Sequence, residues 1–162
     1  MKKYITLLFT FIILITSLIP FNAFAADGTE DDVYFTQEEF EALEHTYSEN
    51  VNVYATGLII NKTIGIAKDG NKILITGYTQ GSSEVQKVGF TEVVIQRKKA
   101  SESKWSDYKS YKDLYSESDQ YTFSKSVAVE SGYQYRVTAT HYAKKSLLST
   151  QKIEATTGYL TF

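Results

Sequence analysis

From Val51 onward, apolar residues return at every second position, in short runs about ten residues apart. Period two is the period of an extended strand with one covered face, and a helix cannot use it. The clearest run is Tyr133–Tyr142. Its odd positions are Tyr133, Tyr135, Val137, Ala139 and His141; its even positions are Gln134, Arg136, Thr138, Thr140 and Tyr142. The odd set is the expected buried face. Many such runs can bury their apolar sides only against one another, so the expected fold is an all-β antiparallel sandwich of seven or eight strands.

The expected strands are Val53–Asn61, Thr63–Lys68, Lys72–Thr79, Val88–Lys98, Ser103–Tyr111, Gln120–Val129, Tyr133–Ala143 and Thr150–Leu160. Asp69-Gly70-Asn71 supplies the positive φ of a tight hairpin joining Ile64 and Ile66 to Ile73 and Ile75. Tyr121, Phe123, Val127 and Val129 share a parity that Lys125 interrupts. That lysine must snorkel, or the strand must bulge. The chain has one proline, Pro20, so no later strand loses a ladder amide to proline.

Residues 1–25 read differently. Lys2 and Lys3 precede an apolar run from Ile5 to Ile19, Pro20 ends it, and Ala23-Phe24-Ala25 fits a signal-peptidase site. The expectation is a signal peptide cut after Ala25 and a secreted, extracellular protein. The apolar run is shorter than the roughly 20 residues of a membrane-spanning helix, and no transmembrane segment is expected after processing. Cysteine is absent, so no disulfide is available and the core and strand ladders must hold the fold alone.

Charge divides the remainder. Residues 26–50 carry nine carboxylates and no Lys or Arg, whereas residues 51–162 carry 10 acidic and 15 basic residues. An acidic arm, 26–50, therefore precedes a mildly basic domain, 51–162. The arm is expected either as a solvated spacer or folded back on the domain. Thr36 and Glu39 have the spacing of a capping box, Phe35 and Phe40 that of a hydrophobic staple, and Phe40, Leu43 and Tyr47 one helical face. These predict a short helix over about 37–46.

Two resemblances bear on this reading. Val129-x-x-Gly132-x-x-Tyr135-x-Val137-x-Ala139 is similar to the sixth strand of fibronectin type III and related immunoglobulin-like domains. That resemblance implies that the Tyr135 hydroxyl bonds the backbone of the preceding corner. Further, Val94-Ile95-Gln96-Arg97-Lys98-Lys99, Trp105, Tyr121-Thr122-Phe123-Ser124-Lys125 and Tyr135-Arg136-Val137-Thr138 resemble a family of small secreted Gram-positive bacterial proteins without an assigned function. This second resemblance implies one β-sandwich behind a signal peptide and brings no catalytic residues.

Few chemistries fit the residues. The two histidines are His45, on the acidic helix, and His141, expected at a sheet rim. Without cysteine they offer no usual zinc site, and neither a metal nor another cofactor is expected. Thr140 and His141 adjoin along a strand and so face opposite ways, which excludes a dyad. Glu92, Glu130 and Glu154 stand singly and are not the facing pair a glycosidase needs. Asp69 in its short turn lacks the ligands calcium requires. There is no dense basic motif for nucleic acid. The expectation is a non-enzyme.

Aromatic residues are the one excess, with 13 Tyr, nine Phe and one Trp. Trp105, Tyr108 and Tyr111 recur every third residue, interleaved with Lys104, Lys109 and Lys112. Stacked aromatic faces beside cations suit an anionic glycan or envelope polymer. The competing reading makes these aromatics ordinary core and strand residues. The expected role is an extracellular binding or interaction module. Its partner is expected to be an extracellular protein or, through these six residues, a cell-envelope polymer; a hydrolase or toxin-like effector is the remaining alternative.

Overall fold

The computed structural model describes residues 35–48 and 57–162. Ala25, its cleavage site and residues 49–56 lie outside the described residues. Two antiparallel sheets pack face to face. The first has the order β1 (Glu44–Tyr47), β2 (Ile59–Asp69), β3 (Lys72–Gly81), β6 (Gln120–Ala128). The second has the order β5 (Ser106–Ser116), β4 (Lys87–Lys98), β7 (Gln134–Ser146), β8 (Ser149–Thr156), with β9 (Leu160–Thr161) also paired to β7.

The alternation of β7 holds: Tyr135, Val137, Ala139, His141 and Ala143 are buried, and the even positions face outward. β4 obeys the same rule once a bulge at Thr91 resets its parity, so Phe90, Val93 and Ile95 all point inward. They meet Ile64, Ile66, Ile73, Ile75, Phe123 and Val127 from the first sheet. Lys125 keeps regular register with Ile75 and is half-buried, its Nζ 5.7 Å from the Tyr111 ring centre. It snorkels, and the strand does not bulge there.

Local turn chemistry is realised as well. Asp69 pairs with Lys72 around Gly70, whose φ is +58°. Gly89 has φ +153°, and a Cβ there would overlap the Leu114 carbonyl oxygen, so β4 and β5 can approach this closely only at a glycine. The corner before β7 carries the bond the fibronectin resemblance implies. Tyr135 Oη donates to the Glu130 carbonyl at 3.2 Å and accepts from the Glu130 N–H at 3.0 Å.

Some expected boundaries are corrected. Thr63–Lys68 and the end of Val53–Asn61 form one strand, β2, because a bulge at Ile60 lets the chain continue with its inward face restored. β5 begins at Ser106 and runs on to Ser116, and the last expected strand divides into β8 and β9. The helix expected over 37–46 is one turn, α1 (Gln37–Glu41). Its capping box is present, and the Phe35 and Phe40 rings stack at 5.8 Å. After Ala42 the chain turns and becomes β1, because the ladder with β2 bonds the backbone groups on one side of the strand, where a short solvated helix would fray.

Phe40, Leu43 and Tyr47 do share an apolar cluster, but from a helix, a turn and a strand in succession. They cover the outer side of the first sheet over Ala67 and Leu74. Gly65 leaves room for Tyr47, which accepts a hydrogen bond from Gln37 Nε2 at 2.7 Å. Residues 35–48 of the acidic arm are therefore part of the sandwich. Phe40 is fully buried, so Phe40→Ala is expected to destabilise the fold by about 3 kcal/mol or more, read as a lower midpoint in urea denaturation. An unchanged midpoint would mean that this segment contributes nothing to the fold.

Candidate functional site

The outer face of the five-stranded sheet is the most distinctive surface. Register places Lys87, Glu92, Val94, Gln96 and Lys98 of β4 on it, beside Lys144, Thr140, Thr138, Arg136 and Gln134 of β7. Trp105 folds over one end of this face. The Arg136 guanidinium carbon stands 4.5 Å from its ring centre and Lys98 Nζ 5.2 Å. Tyr159 adds a second ring at 6.3 Å and is 56 % exposed. Arg136 is held by its Nε donating to Gln96 Oε1 at 2.9 Å. At the other end, Lys87 Nζ lies 4.8 Å from the Tyr115 ring, which packs on Tyr142 at 5.2 Å. Between the ends, Glu92 and Lys112 pair at 3.3 Å.

The six residues singled out by spacing do not form one cluster. A bulge sets Tyr108 between Asp107, which pairs with Gln96, and Lys109, which pairs with Ile95. Tyr108 and Tyr111 consequently both turn toward the core. The Tyr108 ring meets Tyr135 edge-on at 5.6 Å, and its hydroxyl donates to the Ala128 carbonyl. Tyr111 meets Phe123 at 5.6 Å, with Lys109 Nζ 5.5 Å from its ring. Of the three aromatics only Trp105 joins the outer face, as does Lys112 of the three lysines through Glu92; Lys104 is exposed beside Trp105 in sequence. Spacing did not single out Arg136, Lys98 and Tyr159. The even parity of Arg136 on the clearest strand was the available signal for it.

A second arrangement lies inside. Lys62, Ile64 and Ile66 share the inward parity of β2, and Lys62 is only 5 % exposed. It pairs across the ladder with Thr79, whose Oγ1 lies 2.8 Å from His141 Nδ1 and 3.2 Å from the Gly89 carbonyl oxygen. With the hydroxyl proton assigned to Gly89, His141 donates from Nδ1, and its Nε2 is a buried lone pair without a partner. His141 is thus interior and not at a rim: its ring lies 4.7 Å from Phe90 with no exposed surface. Burial, and secondarily the Lys62 charge, push its pKa down to about 3. Burial also holds Lys62 below the usual lysine range. Lys62 and the unpartnered hydroxyl of Ser48 line an open cleft of about 510 Å³, bordered by β1 and by Glu154 to Gly158.

His45 is exposed. Among the described residues no group of three or more His, Cys, Asp or Glu is placed to hold a metal, and no helix is long and apolar enough to cross a membrane. Comparison of the chain with family models, with curated proteins and with solved structures gives no match.

The buried base has a consequence in pH. Between pH 6.5 and about 3 the unfolded chain binds a proton at His141 that the folded chain refuses, so stability falls as pH falls through that window, by at most roughly 5 kcal/mol. The Lys62 shift has the same sign, but it acts in the alkaline window below 10.5 and adds no slope to the acid limb. Thermal melts from pH 7 to pH 4 should show the His141 slope, and His141→Gln should flatten it. Lys62→Met, which removes a buried cation, is expected to raise the melting temperature at pH 7.

Proposed function

We propose that this protein is an exported, non-catalytic binding module of fibronectin type III-like build, and that the outer face of its five-stranded sheet takes an anionic extracellular polymer. The strand order and the Tyr135–Glu130 corner support the build. The basic run, apolar run and small-x-small site of residues 1–25 support export. One observation carries the ligand class: Trp105 and the exposed Tyr159 stand together with Arg136 and Lys98 at one end of the face.

A ring with a guanidinium stacked over it offers an apolar edge and outer face together with a fixed donor fork. This combination matches a sugar ring bearing carboxylate or phosphate. The excess of basic residues over 51–162 favours the same sign of ligand. Strand addition by a protein partner is less favoured. β5 pairs with β4 alone, but its free edge carries Lys112 and a left-handed Asp113, φ +56°, features that discourage edge pairing.

Co-sedimentation with insoluble cell-wall material, and titration with polygalacturonate, test the reading. Trp105→Ala and Arg136→Ala should each weaken binding about tenfold or more, equivalent to about 1.4 kcal/mol, with circular dichroism unchanged. Salt at about 1 M, where screening acts over roughly 3 Å, should weaken it further. Equal binding of a neutral glucan, or indifference to both substitutions, would remove this face from consideration.

A further inference from the structure

We propose that the tip of the β7–β8 hairpin docks the domain on an anionic lipid bilayer, Leu147 and Leu148 entering the headgroup region while the neighbouring lysines rest on the charged surface. Leu147 is 87 % exposed and Leu148 99 %, far more than any other large apolar side chain described. They are the two residues between Ser146 and Ser149, which pair across the hairpin.

Neither folding nor turn chemistry accounts for them. Both leucines hold negative φ, which any residue adopts, so this two-residue loop neither requires leucine nor excludes a polar residue. The core does not use them, since no buried cluster includes either side chain. Two adjacent leucines held in water at a protruding point need an apolar phase to enter.

The shape and charge favour a bilayer as that phase. β4 reaches only as far as Lys87, opposite Lys144, so the tip projects past the end of its neighbour. The pair is convex and inserts; it does not enclose a ligand. Lys144 and Lys145 precede it, separated from Leu147 by Ser146, and Lys152 follows on β8. Lys145 is paired to Glu84 at 2.6 Å and Lys87 to Glu117 at 2.8 Å. Among the described residues Lys144 and Lys152 carry no ion pair, and both side chains lie on the outer face of the sheet. An apolar point with a cationic collar is the pattern of interfacial attachment, in which insertion and headgroup attraction each supply a weak share. The expected association is reversible and falls as salt rises.

The test uses a chain starting at Ala26, which keeps every described strand and core residue and removes the apolar run of residues 5–19. Co-sedimentation is measured with phosphatidylglycerol-rich vesicles and with phosphatidylcholine vesicles at roughly 50 mM salt. The wild type should bind the anionic vesicles alone. Replacing Leu147→Ser together with Leu148→Asn puts polar side chains at the tip that accept the same negative φ, so the melting temperature should hold while vesicle binding falls about tenfold or more. Lys144→Gln with Lys152→Gln should also weaken binding. Failure of the wild type to bind anionic vesicles overturns the proposal, even where the tip captures a soluble protein. Equal binding by the variant with both leucines replaced, or of phosphatidylcholine vesicles, overturns it too.

Discussion

The two sheets share one interior because Phe90 crosses between them. It rises from β4, is fully buried, and meets Tyr121, Phe123 and His141 around its ring. Gly77 on β3 makes room for it: a Cβ there would stand 2.9 Å from Phe90 Cζ and 3.0 Å from Ile64 Cδ1. Without a disulfide, this interlock and the isoleucines around it must supply the cohesion that small extracellular domains often take from cross-links. The bulge at Thr91 depends on the same contact. It lets Phe90 and Val93, an odd number of residues apart, both point inward.

The outer side of the first sheet is covered by a different device. Gly65 and Ala67 are small enough for rings to lie on the sheet, and Phe40 and Tyr47 fill that space. β2 is therefore buried on both faces along its middle, which is unusual for a strand near the edge of an antiparallel sandwich. The acidic segment is held by this apolar contact and by the β1–β2 ladder. Its described carboxylates, Glu38, Glu39, Glu41 and Glu44, stay in water, and Glu39 is drawn below its ordinary pKa by the hydrogen bonds of the capping box. Electrostatic attraction to the basic domain is not needed to explain the docking.

The polar interior stands against these stabilising elements. Lys62 and His141 occupy inward positions that an aliphatic residue would fill without desolvation cost, and burial lowers the pKa of both. Their inclusion makes one end of the core dependent on Thr79, the one side chain among the described residues that bonds His141. On the outer face the balance differs. There cations sit over aromatic rings in partial contact with water, where such pairs stabilise modestly and stay available to a ligand.

Sequence alone determined what depends on near neighbours. The capping box of Thr36 and Glu39, the Phe35–Phe40 staple, the hairpin at Gly70 and the buried parity of β7 each involve residues a few positions apart, and all were legible. The Tyr135 corner, which the fibronectin type III resemblance implies, likewise joins residues only five positions apart. Tertiary structure alone decided which residues meet across long separations. β1 exists because β2 is there to pair with it. Trp105 parts from Tyr108 and Tyr111 because a bulge opposite β4 turns the strand. Arg136 becomes a partner of Trp105 only through the register of β4 with β7. An alternating pattern states that a strand has a covered side; the residue that covers it is set by the packing of segments far apart in the chain.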